Sequence, residues 1–312
     1  MIISLLKDDK LGKSISGLLI ACATLVTANL HATSLVYNLR IAETSRQRIF
    51  KENAVKNKHN FISSVILVEQ FRKQYNGIHN NLSGGIATLI YVKDSYYFRA
   101  DFAAAQVRVP QTHFSQVQTD DLLLSAGYRH QLNQITKLTV SALLGIPTHK
   151  DTNLQHYSMG TGHVGIGLQI DGSVLYSQNH KHSIISAIRF IHFAKRNAAL
   201  TLARQTRCFE LDLGNLADLF IAHYSNWGRH GFEFGYNPSF GFATSIKPRL
   251  DAAVHAASFM SSSFYSFYSC GFLIKDMRSA VVFGMSGGFS HTPKDVGYRY
   301  GVTTWAGFRI NF

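Results

Sequence analysis

From Gly231 to Phe242 the chain alternates. Phe232, Phe234, Tyr236, Pro238, Phe240 and Phe242 occupy the even positions, and Gly231, Glu233, Gly235, Asn237, Ser239 and Gly241 the odd ones. A period of two is that of a strand with one apolar face and one polar or small face. Gly and Pro weaken strands, but here the aromatic face is complete enough to carry the prediction. The same pattern recurs. Val164, Ile166, Leu168 and Ile170 alternate with Gly165, Gly167, Gln169 and Asp171. Leu122, Leu124, Ala126 and Tyr128 alternate with Leu123, Ser125, Gly127 and Arg129. Val281, Phe283 and Met285 alternate with Val282, Gly284 and Ser286, and the last residues, Val302 to Phe312, repeat it again. The second face is rich in glycine and holds several charges, which suits a crowded, wet interior.

The pattern predicts strands over 61–71, 82–91, 96–108, 120–132, 137–147, 158–174, 183–194, 208–225, 230–244, 262–274, 279–290 and 299–312. The links alternate in length. Those around Asp94, at 133–136, 177–182, 226–229 and 275–278 are short; those near 72–81, 109–119, 148–157, 195–207, 245–261 and 291–298 are longer. Short turns on one rim and long loops on the other are the layout of transmembrane barrels, with the short rim in the periplasm. The fold class expected is all-β: an antiparallel up-and-down transmembrane β-barrel of about twelve strands.

Composition agrees. The 312 residues include 22 Phe and 14 Tyr, and only 16% are charged, against roughly 25% in soluble domains. Past the N-terminus no stretch approaches the roughly 20 apolar residues of a spanning helix. In lipid, only helices and closed barrels satisfy every backbone polar group. A soluble sandwich or lipocalin-like barrel is the competing architecture, and it would have to cover these open apolar faces.

Residues 1–32 read as a secretory signal peptide: Lys7, Lys10 and Lys13 precede the apolar run Ile15 to Ala28. Leu19-Ile20-Ala21-Cys22 resembles the lipobox of bacterial lipoproteins, but the chain stays apolar beyond Cys22. Residues 33–60 carry Arg40, Arg46, Arg48, Lys51, Lys56 and Lys58 without alternation. They are expected to form a basic periplasmic leader or a plug segment, with the barrel spanning 61–312. Cys208 and Cys270 fall near opposite rims and are expected to stay unpaired.

The C-terminal "TTWAGFRINF" resembles the signal by which the barrel-assembly machinery recognises bacterial outer-membrane proteins. Phe308, Ile310 and Phe312 carry that resemblance. It implies an outer-membrane location, a partner in the assembly machinery, and contact with outer-membrane lipid and lipopolysaccharide.

His223 and Ser225, followed by Asn226, resemble the His-x-Ser-Asn element of outer-membrane lipid hydrolases, the phospholipase A and lipid A deacylase families. Residues two apart share a strand face, so the hydroxyl can reach the imidazole. Leu211, Leu213, Leu219 and Ile221 share their phase, so the pair should face lipid. Two features oppose catalysis. The pair falls at the periplasmic end of its strand, and the nearest acid, Glu233, should point inward. His192, near the other rim, has Ala194 and no hydroxyl at the matching position. The reading is therefore non-enzymatic, with hydrolysis as the alternative.

Gly160-Thr161-Gly162-His163-Val164-Gly165 matches GxGxxG but opens a strand, whereas a dinucleotide loop must link a strand to a helix. His149, His156 and His163 lack tight ligand spacing. No cofactor and no metal are expected. The formal charge of +13 favours anionic partners; small anionic solutes fit, and no motif points to nucleic acid. Arg99, Arg129, Arg189 and Arg309 fall on the inner phase with Asp101, Asp171 and Glu233. These seven are the candidates to line a pore. The function expected is a narrow passive pore or a structural surface barrel.

Overall fold

The computed structural model describes residues 59–74, 79–148, 160–177, 181–202, 205–242, 244–248, 254–256, 258–274, 277–290 and 298–312. The signal peptide, Cys22 and nearly all of the basic segment lie outside the described residues. The strand expected from 61 begins two residues earlier, at His59.

The barrel wall is built from β1 (His59–Gln74), β2 (His79–Lys93), β3 (Tyr96–Val109), β4 (Phe114–Thr119), β5 (Leu122–Gln131), β6 (Thr136–Ile146), β7 (Gly165–Leu175) and β8 (His182–Phe193). After an excursion through β9 (Arg196–Leu202) and β10 (Gln205–Asp212), it continues as β11 (Asn215–Trp227) and β12 (His230–Gly241). A second excursion, β13 (Thr244–Pro248) and β14 (Val254–Ala256), precedes β15 (Phe259–Ile274), β16 (Met277–Ser290) and β17 (Tyr298–Asn311). All wall pairings are antiparallel between successive strands, and β1 pairs with both β2 and β17, so the sheet closes on itself. β3 pairs with β5 through Tyr96–Asp101 and with β4 through Ala104–Val109. β4 and β5 are thus one strand stepped at Asp120–Asp121, and twelve strands close the barrel. Closure removes every edge within the wall, which a strand in hydrocarbon requires.

Side chains alternate across this wall as the sequence predicts. Along β8, Ser183, Ile185, Ala187, Arg189 and Ile191 are buried, while Ile184, Ile188 and Phe190 are exposed. Leu67, Ile166, Leu168, Ile188, Phe234 and Phe283 all present more than half of their surface to the outside. So large an apolar exterior is unstable in water and matches a lipid surround. Aromatic pairs brace the outside near the short turns, with ring centroids 4.8 Å apart for Phe61–Tyr91 and 5.1 Å for Tyr96–Tyr128. That is the level at which interfacial aromatics sit.

Several expected loops are strands. About 9–11 residues suffice to cross a bilayer in a tilted barrel, yet β1 and β15 have 16 residues each. Most of what exceeds the expected spans lies at the long-loop end, 72–74 in β1 and 259–261 in β15. The expected link 109–119 is instead a one-turn 3₁₀ segment, Pro110–Thr112, followed by β4. The link 72–81 shrinks to 75–78. Within the links 195–207 and 245–261 lie β9, β13 and β14, which join β10 in a four-stranded sheet in the order β14-β13-β10-β9. Conversely, β7 starts at Gly165 rather than 158, and 160–164 form a loop.

The expected strand 208–225 is broken. β10 ends at Asp212 and β11 starts at Asn215, with Gly214 at φ 68° between them. This left-handed step, costly for residues with a Cβ, shifts the alternation by one. Leu211 and Leu213 are completely buried, whereas Ile221 faces outward. The shared phase expected from Leu211 to Ser225 therefore fails above Gly214 and holds below it.

Candidate lumen site

Inner-facing side chains of the long-loop half surround a small, partly open cavity of about 70 Å³. Seven strands contribute. β1 supplies Gln70 and Arg72, β8 Arg189, β11 Asp218, and β12 Asn237 and Ser239. β15 supplies Ser261 and Ser263, β16 Ser286 and Gly288, and β17 Gly301 and Thr303. Short hydroxylated side chains and glycines leave space where longer inner residues would fill it. Gln70 Nε2 donates to Thr303 Oγ1 at 2.9 Å, and Ser239 Oγ donates to the Asn237 side chain at 3.0 Å. Arg189 binds Asp218 with two nitrogens, Nε at 2.7 Å and the terminal Nη2 at 2.5 Å from the same carboxylate oxygen. Both side chains are almost fully buried, where a charge is tolerated only with a well-placed partner.

Aromatic rings follow two residues further along the same inner faces: Phe220 after Asp218, Tyr265 after Ser263, and Trp305 after Thr303. All three are buried, and the Phe220 and Tyr265 rings stack at 5.4 Å. Inner glycines make room for them. A Cβ on Gly235 would lie 2.2 Å from the Tyr265 ring, and one on Gly284 would lie 2.3 Å from the Trp305 indole. The Tyr265 hydroxyl donates to Glu233, which is completely buried. These three rings lie on the short-turn side of the cavity.

All seven sequence-predicted charges lie on the inner phase, but they do not form one ring. Arg189 alone lines the cavity. Glu233 lies with the Tyr265 hydroxyl. Arg99 and Asp101 pair at 2.7 Å in the short-turn half, with the Thr88 hydroxyl donating to the same carboxylate at 2.7 Å. Asp171 accepts from Gln169 Nε2 at 2.7 Å. Arg129 and Arg309 sit on the inner phase toward the short turns. The sequence reading missed Arg72 and Asp218. Arg72 lies one residue beyond its predicted strand; Asp218 lies on the phase opposite His223 and could have been counted. With them, the named inner charges become five guanidiniums against four carboxylates.

His223 and Ser225 face outward near the short turns, and a neighbour absent from the sequence argument joins them. Ser225 Oγ lies 2.8 Å from His182 Nδ1 on β8 and 3.4 Å from His223 Nε2. The two imidazoles stack with centroids 5.7 Å apart, and His223 Nε2 lies 2.5 Å from the Tyr176 hydroxyl. Ser225 is 2% exposed, so its hydroxyl is covered rather than presented. Glu233 points into the lumen, as expected. The turn itself is Gly228–Arg229, while Asn226 still belongs to β11. His192 Nδ1 lies 2.7 Å from Asn215 Oδ1.

The Gly160–His163 stretch is a loop anchor. Asp121, completely buried, accepts from Thr161 N at 2.8 Å, from Thr161 Oγ1 at 2.6 Å and from Gly162 N at 3.2 Å. His163 Nδ1 lies 2.7 Å from the Ala194 carbonyl; His149 and His156 lie outside the described residues. Among the described residues no three metal-ligating side chains converge. Cys208 is exposed on β10, Cys270 is half-buried on β15, and neither forms a disulfide.

No family model and no curated protein matches the chain. Among solved structures it resembles the COG4313 outer membrane channel from Pseudomonas putida, with a TM-score of 0.67 at 11% identity over 84% of this chain and 98% of that one. Weaker likenesses are to the Pseudomonas putida toluene transporter TodX (TM-score 0.45, 9% identity, 82% and 90% covered) and the translocator domain of the Neisseria meningitidis autotransporter NalP (0.44, 10%, 90% and 99%). The chain is a closed twelve-stranded antiparallel barrel with the fold of a bacterial outer-membrane channel.

Proposed function

We propose that this barrel is a narrow passive pore for small hydrophilic solutes in the bacterial outer membrane. The observation that carries the reading is the polar cavity in the long-loop half of the lumen. A structural barrel has no need of twelve lining residues from seven strands that leave a polar cavity of about 70 Å³. Buried charges and rings along the rest of the inner face make the path narrow. Barrels of this size fall between filled small barrels and open porins. Charges facing a constricted lumen act strongly on passing ions, so Arg99, Asp101, Arg129, Asp171, Arg189, Glu233 and Arg309 are the residues expected to set selectivity.

The test is conductance of the refolded protein in a planar bilayer. A small conductance is expected, and neutralising Arg129 or Arg309 should shift its ion selectivity. Absence of any conductance above background, where a control porin conducts, overturns the pore. The non-enzymatic reading rests on the covered Ser225 hydroxyl and its inward-turned acid. Purified protein should release no fatty acid from phospholipid or lipopolysaccharide; release that Ser225→Ala abolishes would restore the hydrolase.

A further inference from the structure

The cavity is lined from one arc of the wall. In wall order, β1-β17-β16-β15-β12-β11-β8 are seven consecutive strands, and every lining residue comes from them. Arg72 on β1 and Arg189 on β8 stand at the two ends of this arc, so a solute within it has a guanidinium on either flank. On the far side of β1 the inner phase turns apolar: Gln70 pairs with Leu82 and Leu82 with Val107, both buried. That face offers nothing to replace the water around an ion, so a hydrated ion keeps to the polar arc. Charge then decides which ion. Among the described residues, the lining holds two guanidiniums and one carboxylate, Asp218. One Asp218 oxygen already takes both Nε and Nη2 of Arg189, so that pair is close to neutral for an approaching ion. Arg72, itself almost fully buried, leaves the arc with a net positive charge. The hydroxyls of Ser239, Ser261, Ser263 and Ser286 both donate and accept. They follow whichever ion the fixed charge selects, and here turn their protons to an anion. About 70 Å³ is room for a few water molecules, at about 30 Å³ each in the liquid. That is the scale of one small inorganic anion with part of its hydration.

We propose that this polar arc selects small inorganic anions, chloride being the simplest, and that Arg72 sets the sign of the selection. Rings of basic side chains are the general means of passing anions. The proposal rests on the pore reading for ion flow, but not for the site itself.

The refolded full-length protein is placed in a planar bilayer under a potassium chloride gradient around 0.1 M, where screening sets in beyond about 10 Å. The reversal potential should show chloride more permeant than potassium by roughly threefold or more. Arg72→Gln should lose at least half of that preference, and Arg72→Lys should keep it. Lys73→Gln removes the same charge from the next residue, on the outer phase of β1, and should leave the preference unchanged. Heat-modifiable migration checks that each variant is an intact barrel. A conducting wild type that prefers potassium, or neither ion, overturns the proposal. So does an Arg72→Gln barrel with the full preference, or a Lys73→Gln barrel that loses as much. A second readout needs neither a variant nor a current. In wild-type crystals soaked in caesium bromide, anomalous scattering measured on both sides of the bromine edge should place bromide among Arg72, Arg189 and the serines. Absence of bromide there, or caesium in its place, overturns the site. Bromide in a protein without conductance overturns the pore and leaves the site; conductance without bromide does the reverse.

Discussion

Asp218→Asn leaves the Arg189 guanidinium, 1% exposed, without its carboxylate. Breaking a buried pair from one side typically costs about 3–5 kcal/mol, whereas replacing both partners by apolar residues of similar volume is often neutral. The single variant should therefore lose its heat-modifiable fold at clearly lower temperature or urea concentration than the wild type. The double variant Arg189→Met/Asp218→Leu should recover most of that loss. A single variant as resistant as the wild type contradicts the buried pair. Gly235 offers a steric counterpart. Gly235→Ala drives a methyl into the Tyr265 ring, an overpacking worth roughly 1–3 kcal/mol. Adding Tyr265→Ser should relieve it, as urea midpoints of the three variants would report. At this scale the sequence was legible by face but not by partner. Glycine on the inner phase of 231–241 was evident, and so was Glu233 pointing inward. That Gly235 backs Tyr265 depends on the register of β12 against β15, which alternation alone does not determine.

Asp121 links two elements. Its carboxylate holds the backbone at Thr161 and Gly162, so Asp121→Ala should free the 160–164 loop without opening the wall. Protease added to intact cells should then cut within 147–164 faster than in the wild type, while the heat-modifiable barrel persists; equal cleavage rates would remove the anchor. At the other end of the chain, the Phe308 and Phe272 rings lie 5.9 Å apart on the outer face. Phe308→Asp puts a carboxylate there at roughly 1 kcal/mol or more, depending on depth. That variant, and deletion of Phe312, should yield protease-sensitive periplasmic protein. Normal heat-modifiable barrel from both would refute the assembly role. The wall strands were legible because lipid outside and a crowded lumen inside impose opposite chemistry on alternate residues. β4, β9 and β13 were not, because they stand beyond the lipid. In β4, Ser115, Gln116, Gln118 and Thr119 are polar on both faces, so no apolar face marks the strand. The phase shift at Gly214 escaped for another reason: a single left-handed residue changes the face of all that precedes it while leaving the composition unchanged.

The whole molecule has a direction. Five short links (94–95, 132–135, 176–181, 228–229 and 275–276) lie on the rim that also holds His59 and Phe312. The other rim carries the four-stranded extension and the 147–164 link. Short turns belong in the periplasm, which fixes the sense of insertion. Cys208, exposed on β10, is a native probe of it. In a Cys270→Ser background, Cys208 on intact cells should react with a membrane-impermeant maleimide. With Cys208 also replaced, Gln134→Cys and Gly228→Cys should stay unlabelled until the outer membrane is breached. The opposite result inverts the barrel. Alternating link lengths made the two rims legible before any contact was known. The cavity was not legible, because it depends on which inner residues of seven strands share a height.

The seam between β1 and β17 constrains when the barrel can form. Ile62 pairs with Asn311, and the Phe312 amide donates to the Phe61 carbonyl at 2.8 Å, so the first strand waits for the last residues of the chain. Pairings this distant in sequence are slow to form. Until they do, β1 offers an unpaired edge flanked by Val65, Leu67 and Phe71, a template for pairing with another chain. A nascent or truncated chain is therefore at greatest risk of aggregation while it crosses the aqueous space before insertion. A holding factor that masks the β1 edge would need to release it only as β17 arrives.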